Sequence, residues 1–334
     1  MSRTLTSETS RRARAFVVEA LPEARGLGQA LTELIDDPEA FVAVLRDGFA
    51  RLADEAYTAQ QERVASGSGV VLGVRWPLID GVAAQLRRPL REGSSASALW
   101  LAQRLAVADE REVRLFSHVP LGRALPDDPE RSWQLMRRLA RAATDWISVD
   151  TLADLFAQGI LLERFRWAEL EQLVYSDGRW ERRLVGSTIA RLPFQLPVGR
   201  RRELAEVPAL TLIKVLLGDA DEQVQKALSW ALREWTKVDA DGVADLLRDQ
   251  TAMAVADADG HRAWVVRDAL PALPAVAPAL RARLADIRRR PNAPPTSTAA
   301  AVAAAFGGTA GLGGLSEHAV AMQGERQRLA RRGA

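Results

Sequence analysis

Gln225-Lys226-Ala227-Leu228-Ser229-Trp230-Ala231-Leu232-Arg233-Glu234-Trp235 reads as the body of one amphipathic helix, spanning residues 222–236. Its apolar residues return every three to four positions, which stacks them on one face of a helix. The same period recurs outward from this segment. It predicts helices over Ser148–Ile160, Trp167–Tyr175, Arg179–Arg191, Val207–Leu217, Asp241–Arg248 and His261–Leu270. Asp37-Pro38 reads as an N-cap followed by proline at the first helical position, opening a helix through Ala65, and Asp128-Pro129 repeats the device ahead of Trp133. Strand-like alternation is nearly absent.

The connections are short and rich in Asp, Gly and Pro, and helix pairs recur about every 40 residues. This rhythm predicts an all-α fold: an α-solenoid of HEAT-like helical hairpin repeats over residues 1–290, with equivalent helices lining one concave face. From residue 291 the composition turns to Pro, Ala and Gly and ends in Arg-rich sequence. Residues 291–334 are therefore expected to form a flexible tail with a basic end.

Composition bounds the function. A chain of 334 residues with 48% hydrophobic residues can bury a sizeable core. Without cysteine it has no disulfide, thiolate nucleophile or Cys-ligated zinc, which fits a reducing cytoplasm. Residues 1–14 lack an apolar core of the kind a secretory signal needs, and the Ala/Gly run 298–315 gains too little from hydrocarbon to read as a membrane span. The expectation is a cytoplasmic monomer with no membrane partner. Lys occurs only at positions 214, 226 and 237, so nearly every cation is Arg. Arg suits phosphate because its planar fork donates two parallel hydrogen bonds, but a high-GC coding bias produces the same ratio. The position of each Arg must carry the argument.

Several constellations carry no chemistry. Gly67, Gly69 and Gly73 are wrongly spaced for a dinucleotide fingerprint, and no Gly-Lys-Ser/Thr follows. His118, His261 and His318 lie far apart without acidic partners at ligand spacing, so no metal and no organic cofactor is expected. Trp146-Ile147-Ser148-Val149-Asp150 is different, because it sets an indole and a carboxylate four residues apart on one helix face. Each member has a plain structural reading: Asp150 as a helix N-cap, Trp146 and Trp230 as packing residues, Arg183 as a surface charge. Their joint occurrence on successive repeats is what favours a site.

These residues resemble the AlkD-like family of alkylpurine DNA glycosylases, which are HEAT-repeat proteins. The family's Trp-x-x-Val-Asp run is similar to Trp146 through Asp150. Its Ser-Asp-x-x-Trp-x-x-Arg run is similar to Ser176 through Arg183, and its Gln-Lys-Ala-Ile-Gly-Trp-x-Leu-Arg-Glu run to Gln225 through Glu234. A weaker echo, Gly73-Val74-Arg75-Trp76-Pro77, falls where the family has a Gly-Ile/Val-x-x-Pro turn, and the resemblance covers residues 73–270. Ile147 stands where the family often has Asp, Arg75 where a polar amide can occur, and the chain up to Val70 is unmatched.

The resemblance implies a DNA glycosylase acting on cationic N3- or N7-alkylated purines in duplex DNA. Asp150 would be the catalytic carboxylate, with Trp146 and Trp230 as aromatic walls. Arg183 would hold the backbone near the lesion, and Arg179, Arg182, Arg233 and Lys226 would add DNA contacts, with Arg200-Arg201-Arg202 within reach of the backbone. A narrower form of the same expectation is a self-resistance enzyme specialised for bulky adducts. The rival from another class is a noncatalytic HEAT scaffold that binds DNA structures or a protein partner.

Overall fold

The computed structural model describes residues 2–64 and 67–305. The chain divides into two compact units, Met1–Thr151 and Leu152–Ala334. The first holds α1 (Ser2–Leu31), α2 (Pro38–Arg51), α3 (Glu55–Val64), α4 (Trp76–Glu92), α5 (Ser95–Leu105), α6 (Arg111–Phe116), α7 (His118–Ala124), α8 (Pro129–Ala142) and the start of α9 (Trp146–Leu162). The second continues with α10 (Arg166–Gln172), α11 (Arg179–Arg191), α12 (Ala209–Leu216), α13 (Glu222–Trp235), α14 (Ala240–Ala256), α15 (Gly260–Ala269), α16 (Ala277–Leu284) and α17 (Thr298–Ala305). Among the described residues the only β pairing is two isolated bridges, Ala53 with Val74 and Val70 with Glu110. The fold is all-α, as the periodicity predicts.

Both Asp-Pro starts are true caps. Asp37 accepts from the Ala40 amide at 3.1 Å and Asp128 from the Arg131 amide at 3.3 Å, each answering an amide that the first helical turn leaves unpaired. The helix expected to run from Asp37 to Ala65 is broken after Arg51. Asp54 accepts from Ala56 N at 3.1 Å to start α3, and it pairs with Arg75 at 2.7 Å. A buried ion pair to a distant segment outweighs continuous helix here. Helices α1, α4–α7, α16 and α17 add to the expected set, and α14 extends eight residues beyond the predicted Arg248.

In the first unit, Phe116 lies 6.4 Å from Phe41 and 5.8 Å edge-on from Phe49, and α4 packs on both α1 and α7. In the second unit the packing is layered. Helices α11, α13 and α15 pack in succession, while α12, α14 and α16 form the other row, with α14 touching α12, α15 and α16. This two-row order is the helical hairpin repeat. Leu184, Val185, Ile189, Val224, Leu228, Leu232, Trp235, Val265 and Val266 fill its core. Helices α11 and α13 come close at Gly186, where an added Cβ would come within 2.9 Å of the Ala227 Cβ and backbone.

The tail expected from residue 291 is partly structured. Thr296 N donates to Gly218 O at 2.9 Å, Ser297 and Ala299 are buried, and α17 packs on α12. Residues 306–334, with His318 and the basic end, lie outside the described residues.

Candidate functional site

The glycine loop is structural. The Leu72 and Gly73 amides both donate to the Glu112 carboxylate, at 3.0 and 3.1 Å, and Gly73 takes a φ of +84° against Thr58. Amides spent on a buried carboxylate have nothing left for a phosphate. His261 is likewise occupied, its ring nitrogens meeting Gln225 Nε2 at 3.1 Å and Ala293 O at 3.0 Å. Among the described residues no group of three or more His, Cys, Asp or Glu is placed to hold a metal ion, and no helix is long and apolar enough to cross a membrane.

Helix α9 presents the acidic half of the expected site. Its N-cap is Asp145: the Ser148 amide donates to Oδ1 at 2.9 Å and the Ser148 hydroxyl to Oδ2 at 2.8 Å. Asp150 therefore sits inside the helix, half-buried, and the capping explanation for it falls. Trp146 lies one turn earlier, its indole Nε1 donating to Val64 O at 3.3 Å. A second carboxylate missed in the sequence, Asp154, follows one turn after Asp150. It is held by two amide side chains, Gln158 Nε2 at 3.0 Å and Gln195 Nε2 at 2.7 Å.

Helices α11 and α13 carry the expected basic residues, and here the motif residues turn out to join successive repeats. Ser176 accepts from Gly178 N at 3.0 Å and donates to Glu181 at 2.5 Å, which builds the start of α11. Arg182 donates to Asp219 at 2.7 Å and to the Ser176 and Asp177 carbonyls at 2.8 and 2.9 Å. Arg183, only 5% exposed, donates to Gln223 O at 2.7 Å. Buried Gln225 donates to Asp219 O at 2.6 Å, while Ser229 at 2.7 Å and Arg233 at 2.5 Å both donate to Asp268. Each bond crosses from one hairpin to the next or to the loop beside it.

The expected DNA contacts therefore separate. Arg182, Arg183 and Arg233 are committed to carboxylates or carbonyls. Arg179 is exposed, 3.8 Å from Asp221 and 4.9 Å over the Trp180 ring, and Lys226 is exposed but paired with Glu222 at 2.7 Å. That pairing, through a direct hydrogen bond from Lys226, lowers the Glu222 pKa. Trp230 is half-exposed and carries the Arg191 guanidinium 5.3 Å over its ring. Arg191 was not foreseen, because nothing in its spacing separates it from other helical arginines.

The model of a family described as DNA alkylation repair enzyme matches residues 45–273. No curated protein matches the chain. One solved structure similar to it is described as a predicted DNA alkylation repair enzyme from Enterococcus faecalis. It is 16% identical, with the match covering 59% of this chain and 89% of that one at a TM-score of 0.48.

Proposed function

Because the chain belongs to the DNA alkylation repair enzyme family, we propose that it is a DNA glycosylase hydrolysing the N-glycosidic bond of cationic N3- or N7-alkylated purines in duplex DNA. Family membership supports an enzyme's role in alkylation repair. The finer reading rests on one observation: Asp150 is a half-buried carboxylate inside α9, one turn from Trp146, while the cap of that helix is Asp145. A carboxylate one helical turn from an indole is the pairing that a cationic sugar calls for.

The chemistry asks for such a group. Alkylation at N3 or N7 makes the purine cationic, so it departs as a neutral base, taking the electrons of the N-glycosidic bond, without a strong general acid. The sugar left behind resembles an oxocarbenium ion. Asp150 stabilises that cation and guides a water to the anomeric carbon; the new C–O bond forms as the water's proton passes to the carboxylate or solvent, leaving an abasic site. One well-placed electrostatic partner is worth roughly 3–4 kcal/mol at the transition state. Trp146, one turn from Asp150, adds an indole face that attracts the sugar cation, and the family resemblance gives Trp230 the same role.

A noncatalytic scaffold is the rival reading, and the commitment of Arg182, Arg183 and Arg233 to joining repeats favours it over a site in which those three grip DNA. Incubation with duplex DNA carrying N7-methylguanine, N3-methyladenine or a bulky minor-groove adduct separates the readings. Released base from any of these supports the glycosylase, and the preferred lesion identifies its specialisation. No release from all three sinks it.

A further inference from the structure

Arg182, Arg183 and Arg233 are spent on joining repeats, so the phosphate grip is sought among the other cations of the second unit. We propose that the second unit holds the DNA backbone with a basic-aromatic patch of Arg191, Arg201 and Arg202 arranged around Phe194 and Trp230, beside the Glu234-paired Lys237. The proposal rests on the reading of this chain as a DNA-binding repair protein, and it relocates the contact surface from the motif residues to the end of α11 and the loop that follows.

Phe194 closes the 3-10 turn after α11 and is 47% exposed. The Lys237 ammonium stands 4.6 Å from its ring centre and the Arg201 guanidinium 5.6 Å. Arg201 is anchored by one hydrogen bond, Nε to Pro193 O at 2.8 Å, which orients the side chain and leaves both terminal nitrogens to donate elsewhere. Arg202, its neighbour, is exposed. Arg191 lies over Trp230, and its buried Nε has no hydrogen-bond partner. Among the described residues none of Arg191, Arg201 and Arg202 is paired with a carboxylate, in contrast to Arg182, Arg200 and Arg233.

Two nearby carboxylates are already taken. Glu234 pairs with Lys237, and Glu203 with Arg200 at 2.8 Å. The hydrogen bond from Arg200 is the first cause holding the Glu203 pKa down, and Arg164 contributes to it as well. A surface that gathers three guanidiniums without carboxylate partners around two aromatic rings fits a polyanion. Since Phe194 carries cations over its ring, the patch offers forks for phosphate oxygens in place of an open stacking platform for unpaired bases. Duplex backbone is the partner of that chemistry.

The test is a salt series with a short fluorescent, lesion-free duplex, so binding is read without catalysis. Each lost phosphate contact lowers the slope of log affinity against log salt by about 0.9. Arg202→Gln, on an exposed side chain that folding does not need, should lower it by about one, and the combined Arg191→Gln, Arg201→Gln, Arg202→Gln variant by about two to three. Arg248→Gln, which removes an exposed charge paired with Asp245, should leave it unchanged. A wild-type slope in the triple variant, or an equal fall in Arg248→Gln, overturns the patch even where base release is intact. A lowered slope in a protein that releases no base upholds the patch and sinks only the glycosylase reading. A chain that binds no duplex sinks both.

Discussion

The guanidinium carbon of Arg191 stands 5.3 Å from the centre of the Trp230 ring, linking the last residue of α11 to α13. The indole is half-exposed, and in our proposal the part that Arg191 leaves uncovered meets the positive sugar of a departing glycoside. Cation–π attraction of about 0.5–2 kcal/mol corresponds to a rate factor of roughly 2 to 30. Trp230→Leu should slow single-turnover release of N7-methylguanine within that range, measured at saturating enzyme. An unaltered rate removes the indole from the chemistry.

Two carboxylates near the start of α9 have different work. Asp150→Asn should lower base release by about 100- to 1,000-fold while duplex affinity stays near wild type. Asp145→Ala should cost about 1 kcal/mol of stability through the lost cap, seen in urea unfolding, with release retained well below the melting temperature. The reverse pattern would assign the chemistry to Asp145.

Arg182 tests the repeat-joining role. Its bonds to Asp219, Ser176 and Asp177 are structural, so Arg182→Gln should lose about 1.5–3 kcal/mol of stability. The salt slope for duplex binding should not change. A lowered slope with undiminished stability would return Arg182 to the DNA surface.

Gly186 is demanded by the approach of α13. Any added Cβ meets Ala227 at 2.9 Å with backbone behind it, so Gly186→Ala should destabilise by about 1–3 kcal/mol despite its better helix propensity. A stabilised variant would mean that the two helices stand farther apart.

Asp54 links stability to pH. Burial pushes its pKa up, but the hydrogen bond and charge of Arg75, with the Tyr57 and Ala56 amides, outweigh this and hold it below its ordinary value of 3.8. A carboxyl depressed in the folded state contributes stability that is fully present above the ordinary value and lost as pH falls through the folded one. Asp54→Asn should therefore destabilise the protein at neutral pH, by about 1.5–3 kcal/mol, and by progressively less below pH 3.8. Equal destabilisation at acid and neutral pH would refute the linkage.

Local order was legible in the letters. Periodicity and the Asp-Pro caps determine the helices, because amphipathic spacing and an oxygen acceptor at the N-terminus act within a turn or two of chain. The Arg179–Arg191 and Glu222–Trp235 helices agree with their expected spans to within a residue, and the family resemblance rested on the same segments. Tertiary structure alone decided which charges are occupied. Asp54 ends a helix for the sake of Arg75, twenty-one residues away, and Arg183 is drawn into a bond with Gln223, forty residues away. Asp145 takes the cap that Asp150 was equally suited to supply. A side chain's chemistry is written in its type, but whether its hydrogen bonds are already spent depends on partners that only folding brings within 3 Å.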